Sequence, residues 1–317
     1  MNVCVTGGTG FIGRALVNRL LAGGVGVRVL ARPSQRADAL ETQGAEVIRG
    51  SLMDTDAARA FAGADVVYHA AAKVDGPGGE KTYFEANVRG TEQVLKACLA
   101  AEVKRVVYVS SIAVYGPIQS ARPIDENTPS DDAPEQRDLY AQSKIAADRL
   151  AIEFAQNTGL AVTILRPGIV FGPDRALPIG LLGARLGNIG IVVGSRRQRI
   201  PLTYVENLID AMEMAAAEEG RVPRQYIVID DEDLTLGEYH AARDEMEKTR
   251  TLFVSPQPFA LAAKWKLLPR AGALSRRQVL RALEDRKYDT RRIREQLSWI
   301  PQVNLREAMR RTVAASG

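Results

Sequence analysis

Tyr140 and Lys144 stand four residues apart in Leu139-Tyr140-Ala141-Gln142-Ser143-Lys144, one helical turn, so their side chains share a face. That spacing has a chemical meaning. A phenol is a poor base near neutral pH, but a neighbouring ammonium favours the phenolate and lowers its pKa. Tyr and Lys at this spacing are also common on exposed helices, so the pair gains its force from two features upstream. One is the hydroxyl pair Ser110 and Ser111, delivered by the apolar run Arg-Val-Val-Tyr-Val-Ser over 105–110. The other is a glycine-rich turn at the start of the chain.

That turn reads Val3-Cys4-Val5-Thr6-Gly7-Gly8-Thr9-Gly10-Phe11-Ile12-Gly13: a short apolar strand, glycines at 7, 10 and 13, and a helical apolar pattern over 11–22. A diphosphate can sit on a helix N-terminus only where the backbone comes close, because unpaired N–H groups and the positive end of the helix dipole hold it. A β-carbon would block the approach. The spacing therefore predicts a dinucleotide site at Gly7, Gly10, Phe11, Ile12 and Gly13. At the end of the second strand, 25–30, such folds read the adenosine ribose. An acid there favours a free 2′-hydroxyl, and an arginine accommodates a 2′-phosphate. The chain reads Leu30-Ala31-Arg32 with no acid, which favours NADP over NAD.

The elements that must position these groups follow in order. Strands are expected at 46–49, 65–69, 105–110 and 161–166, alternating with helices, including 82–101 and 139–158; this predicts a parallel, doubly wound α/β sheet. Ligands lie beyond the carboxyl ends of its strands. Ala70, Ala71 and Ala72 follow the fourth strand with little side chain to obstruct one, and His69 lacks an acid-base or metal partner nearby and reads as structural. A polar loop bearing proline runs from Tyr115-Gly116-Pro117 to about 138, long enough to suggest a site loop. The dinucleotide-binding domain is expected over 1–166, with 202–229 returning to it. The rest of 167–317 forms a smaller, mostly helical substrate lobe. Within it, 258–268 carries Phe259, Leu261, Trp265, Leu267 and Leu268, read as core packing of a lid or the wall of a greasy cleft.

The chain has 317 residues and a net charge of +4, but 256–317 carries fourteen Lys and Arg against five Asp and Glu. A basic lobe suits an anionic ligand or weak contact with a membrane surface; without a helix-turn-helix, zinc knuckle or aromatic platform, nucleic acid is not expected. Cys4 and Cys98 occupy core-like positions without metal spacing. No signal peptide and no apolar run of spanning length is apparent, so a cytoplasmic location is expected.

With these motifs in hand, the chain resembles the extended short-chain dehydrogenase/reductases, which include nucleotide-sugar epimerases, dehydratases and 3β-hydroxysteroid dehydrogenase-like reductases. The resemblance rests on Thr6-Gly-Gly-Thr-Gly-Phe-Ile-Gly13, Asn87-Val-Arg-Gly-Thr91, Ser110-Ser-Ile-Ala-Val-Tyr-Gly116, Pro123-Ile-Asp-Glu-Asn-Thr-Pro129, Tyr140-Ala-Gln-Ser-Lys144 and Leu165-Arg-Pro-Gly-Ile-Val-Phe-Gly-Pro173. It implies Tyr140 as acid/base, Lys144 as the group that lowers its pKa and holds the nicotinamide ribose, and Ser111 as the hydroxyl orienting the reacting oxygen. It further implies cofactor contacts at Asn87, Ser51, Leu52, Ser110 and Pro167, a substrate contact at Tyr115, and a homodimer formed through helices that include those after Thr82 and Leu139.

Departures from the family pattern narrow the reaction. Dehydratases carry an Asp-Glu pair where this chain has Ile112-Ala113, so dehydration is not expected. Two sugar-nucleotide contacts are missing at Ile169 and Ile200, although Arg196, Arg197 and Arg199 are near enough to clamp a diphosphate. The first expectation is an NAD(P)(H)-dependent oxidoreductase acting on a secondary alcohol or ketone. A nucleotide-sugar 4-epimerase or 4-ketoreductase is the second, and a non-catalytic dinucleotide-binding sensor or assembly factor the third.

Overall fold

The computed structural model describes residues 2–53, 57–116, 122–175, 183–218, 223–255, 257–258 and 285–315. The apolar lid residues Phe259, Leu261, Trp265, Leu267 and Leu268 lie outside them. Strands follow as β1 (Asn2–Thr6), β2 (Gly26–Ala31), β3 (Glu46–Arg49), β4 (Val66–His69), β5 (Arg105–Val109), β6 (Val162–Pro167), β7 (Ile169–Phe171), β8 (Gly183–Leu186), β9 (Ile189–Val193), β10 (Leu202–Tyr204), β11 (Arg224–Val228) and β12 (Arg250–Val254). Helices are α1 (Phe11–Ala22), α2 (Gln35–Thr42), α3 (Ala57–Phe61), α4 (Glu80–Phe84), α5 (Gly90–Ala100), α6 (Leu139–Thr158), α7 (Val205–Ala217), α8 (Leu236–Glu247), α9 (Arg291–Leu297) and α10 (Leu305–Ala314).

Seven strands form one sheet in the order β11-β6-β5-β4-β1-β2-β3, every pair parallel. The chain moves outward from β1 through β2 and β3, then returns to β4 and moves the other way. The reversal opens a crevice beyond the carboxyl ends of β1 and β4, where ligands of such sheets bind. Strand alternation builds a core on each face: Val3 and Val5 of β1 and Val107 and Val109 of β5 pack on one side, Cys4, Val106 and Tyr108 on the other. Helices α1 and α7 contact each other over the first face, while α5 meets α3 and α6 over the second. Both cysteines are buried as free thiols in that second core.

The expected helix over 82–101 is interrupted. A π-helical turn, Glu85–Arg89, separates α4 from α5 and carries Asn87 inward, a common use of such turns at functional sites. The stretch expected as a second lobe carries α8, α9 and α10, which pack into the same core as β1 and α1, and also a sheet that apolar patterning did not single out. There β9 pairs antiparallel with β8 and parallel with β12, and β7 pairs with β10 in a separate parallel ribbon.

One amide grips the chain between α9 and α10. Asn207 of α7 accepts from Gln302 N at 3.1 Å and Val303 N at 3.0 Å and donates to Val303 O at 2.9 Å, while its own carbonyl takes the indole N–H of the fully buried Trp299. Replacing Asn207 with Ala strands these backbone groups and is expected to cost about 3 kcal/mol. Urea unfolding together with faster amide exchange at Gln302 and Val303 checks this. Unchanged stability would put that segment's anchor elsewhere.

Candidate active site

A cavity of about 380 Å³ runs from the glycine turn past the carboxyl ends of the sheet to the start of α6, with β9, the stretch before β10 and the start of α8 as its far wall. At one end Gly7 has φ +76°, and a β-carbon on it would lie 2.6 Å from Ala71 N. A β-carbon on Gly13 would lie 2.2 Å from Gly7 O. No other residue type fits either place. Gly10 precedes α1 without a side-chain cap, and the helix has no acid in its first turn, so the first N–H groups of α1 remain available to an anion. Gly7, Gly10, Phe11, Ile12 and Gly13 all line the cavity, and this cradle fits the diphosphate of a dinucleotide.

Around that cradle, Ala70 and Ala72 also line the cavity, while the backbone of Ala71 packs on Gly7 instead. Arg32 follows β2 directly, is exposed, and makes no hydrogen bond or ion pair among the described residues. Its neighbour Arg36 reaches Thr9 O in the glycine turn at 3.5 Å. Ser51 accepts from Met53 N at 3.2 Å and Leu52 packs toward Gly90. None of Arg32, Ser51 and Leu52 belongs to the cavity wall itself.

The other end brings together Ser110, Ser111, Tyr140, Lys144 and Pro167. Asp138 caps α6 by accepting from Ala141 N at 2.9 Å, which fixes the helix start and with it the half-buried Tyr140. Ser111 accepts from Ala113 N at 3.1 Å and so caps the short turn Ile112–Val114. The buried Lys144 donates from Nζ to Tyr108 Oη and Val109 O, each at 2.9 Å. Burial pulls its ammonium down to about 7, opposed by the charge of Asp148.

A polar network that the sequence reading missed lies behind this group. Asp148, one turn beyond Lys144, is fully buried. It accepts from Ser110 Oγ at 2.5 Å and from Arg166 Nη2 at 2.5 Å and Nε at 3.2 Å. Arg166 also donates to Tyr115 Oη at 2.8 Å. The available signal was an acid at i+4 from Lys144 on an otherwise apolar helix face.

Several expected contacts turn out to face the protein rather than the cavity. Asn87 donates to Ser143 Oγ at 2.8 Å and to Lys73 O at 2.9 Å and accepts from Lys73 N at 2.7 Å, tying the segment after β4 to α6. Tyr115, expected at the substrate, is fully buried against Arg166 and Tyr288; its carbonyl, not its ring, accepts from Arg137 and Arg286. The arginines between β9 and β10 do not converge. Arg196 stacks on Phe253 and Arg197 is exposed, and neither lines the cavity; Arg199 does, with ion pairs to Asp285 and Asp233. His69 sits between Thr6 and Thr91, stacked on Tyr108, and burial together with the Lys144 charge pulls it down to about 3, so it stays neutral.

Sequence reasoning also missed Arg137, Gln198, Arg286 and Tyr288, all in the cavity wall. They come from three distant stretches, around 137, 198 and 286–288, and no local spacing links one stretch to another. Among the described residues there is no His, Cys, Asp and Glu group that could hold a metal, and no helix long and apolar enough to cross a membrane.

Comparison with known proteins agrees with this architecture. The NAD dependent epimerase/dehydratase family matches residues 3–228. The 2-alkyl-3-oxoalkanoate reductase of Stenotrophomonas maltophilia is 29% identical over 100% of this chain and 99% of its own length. The reductase of the same name from Shewanella oneidensis is 30% identical over 73% of this chain, a match spanning 62% of that protein. In fold, UDP-glucuronic acid 4-epimerase from Bacillus cereus, solved with NAD, superposes with a TM-score of 0.76 at 18% identity, covering 99% of this chain and 98% of that one. The glycine cradle, the doubly wound sheet and a family match running from β1 to β11 lead to one conclusion: this chain is an enzyme of the NAD-dependent epimerase/dehydratase family, the extended short-chain dehydrogenase/reductases.

Proposed function

We propose that the protein is an NAD(P)H-dependent oxidoreductase acting on a secondary alcohol or ketone that carries an apolar body. One observation carries the reading: Ser111, Tyr140 and Lys144 line the same cavity as the glycine cradle. A bound nicotinamide supplies or accepts the hydride. In the reducing direction Ser111 Oγ orients the carbonyl oxygen, and the Tyr140 hydroxyl gives that oxygen its proton as the carbon gains the hydride. The Lys144 ammonium stabilises the phenolate left on Tyr140. Oxidation of the alcohol runs through the same groups in reverse.

The far wall supports an apolar substrate, since Val192, Val193, Ile200 and Leu236 face the cavity. The names of the two reductase relatives, whose substrates are alkyl-bearing oxo acids, point the same way. A nucleotide-sugar reaction asks for a diphosphate clamp, and the scattered directions of Arg196, Arg197 and Arg199 give it little support. A non-catalytic sensor would have no use for all three of Ser111, Tyr140 and Lys144. For the cofactor we favour NADP, because Arg32 stands unpaired among the described residues where a 2′-phosphate would lie.

Tyr140→Phe is expected to lower kcat by about 10²- to 10⁴-fold while leaving cofactor affinity nearly unchanged. Steady-state rates alongside cofactor titration test this, and undiminished turnover removes Tyr140 as acid/base. Arg32→Ala is expected to weaken NADPH by about tenfold and NADH little. Fluorescence titration of both cofactors decides it; equal weakening would mean that the arginine does not read the phosphate.

A further inference from the structure

We propose that Arg137 and Arg286 form a seat for a carboxylate on the substrate, a few bonds from the carbon that reacts; the proposal rests on the oxidoreductase reading and names its substrate class as oxo acids. Among the described residues the cavity wall carries five basic side chains, Arg137, Lys144, Arg175, Arg199 and Arg286, and no Asp or Glu, although Asp131 stands behind Arg137 and Asp233 and Asp285 behind Arg199. An apolar ketone alone does not call for that charge. A dinucleotide diphosphate accounts for positive potential at the α1 end, where Arg175 lies over the Phe11 ring, but not for arginines at the Tyr140 end.

Two guanidiniums from residues far apart in the chain meet there. Arg137, immediately before the α6 cap and 7% exposed, donates from Nη1 to Tyr115 O at 2.9 Å and to Asp131 Oδ2 at 2.7 Å. Arg286 donates from Nη1 to the same Tyr115 oxygen at 3.2 Å. Asp131 balances the Arg137 charge, and both side chains bring guanidinium N–H donors to the cavity wall. Forked, planar donors suit a carboxylate geometrically. The arrangement is held from behind: Asp131 packs so closely on Gly116 that a β-carbon there would lie 2.7 Å from its Cγ.

The place of this seat sets the substrate. Tyr115 lies one short 3₁₀ turn beyond Ser111, so roughly 8 Å of chain separates the oxygen-orienting hydroxyl from the shared carbonyl, where both guanidiniums donate. A carboxylate close to a ketone, as in a 3-oxo acid, spans that gap, and an alkyl tail then meets Val192, Val193 and Leu236. The carboxylate of a nucleotide-linked uronic acid has the same charge but brings a diphosphate with it.

The test compares a medium-chain 3-oxo acid with its methyl ester, on the wild type and on Arg286→Gln, whose half-exposed side chain can be lost without opening the core; Arg137→Lys serves as a second variant. Reduction is followed by nucleotide absorbance, and binding by calorimetry with oxidised cofactor present. The wild type is expected to prefer acid over ester by about 100-fold in kcat/KM. Arg286→Gln should raise KM for the acid by about tenfold with little change in kcat and leave the ester untouched. Equal use of acid and ester, or an equal loss for both in Arg286→Gln, overturns the seat. If neither ketone is reduced, the oxidoreductase reading falls, and calorimetry then judges the seat alone: acid binding weakened in Arg286→Gln keeps it, unchanged binding removes it. UDP-glucuronic acid binding more tightly than the oxo acid, and through Arg286, overturns the oxo-acid assignment.

Discussion

Everything in the site is referred to a contact between backbones that leaves no room for a β-carbon. Gly13 in the first turn of α1 presses on Gly7 O, and Gly7 itself abuts the chain leaving β4 at Ala71. This double approach seats α1 on the carboxyl end of β1 and brings its N–H groups to the crevice. It also sets where β4 ends relative to β1, and thus where the cavity starts. Parallel strands need long crossovers, so a sheet of this kind cannot bring its functional groups together by hairpins. It relies on strand ends lying side by side, and the glycine contact fixes the central pair.

From that centre, position is handed on by buried polar groups more than by apolar packing. Asn87 grips both backbone groups of Lys73 and reaches Ser143 on α6; Asp148 on the same helix holds Ser110 at the end of β5 and Arg166 on β6. Apolar contacts are non-directional and would let a twenty-residue helix slide by fractions of a turn. Hydrogen bonds to three separate elements do not permit that. A buried ion pair such as Asp148 with Arg166 gains little net stability over apolar packing, and its place directly behind Ser110 and Lys144 gives it a positional role here.

The sequence made the glycine cradle and the Tyr140 end of the cavity legible, and the far wall much less so. Residues over 3–13 combine an apolar run, glycines that no other residue can replace and a helical pattern, and these signals are local. Tyr140 and Lys144 are equally local, set by one helical turn. The π-helical turn at Asn87 was invisible because the apolar period continues across it, and Tyr115 misled because a polar ring after a serine pair gives no hint that Arg166 will bury it. The β8, β9 and β12 sheet is short and mixed in direction, and its partners are separated by the whole of α7, β11 and α8. Arg137 and Arg286 are 149 positions apart, and only the folded chain brings both to Tyr115 O.

This division between local and distant signals follows from how the cavity is assembled. The groups proposed to handle the cofactor and the proton belong to the ends of β1, β4 and β5 and to α1 and α6, and the buried network holds α6 in register. The rest of the cavity wall arrives from β9, from the stretch before β10, from the start of α8 and from the segment around Arg286 and Tyr288. That last segment is seated by a backbone bridge between Ile124 and Tyr288 and, further along, by Asn207 gripping the chain after Trp299. Changes in these walls can alter the shape and charge of the cavity without disturbing Ser111, Tyr140 or Lys144. On the proposed reading, one proton-transfer and hydride apparatus can serve different substrates, with the choice made by the walls that are assembled independently of it.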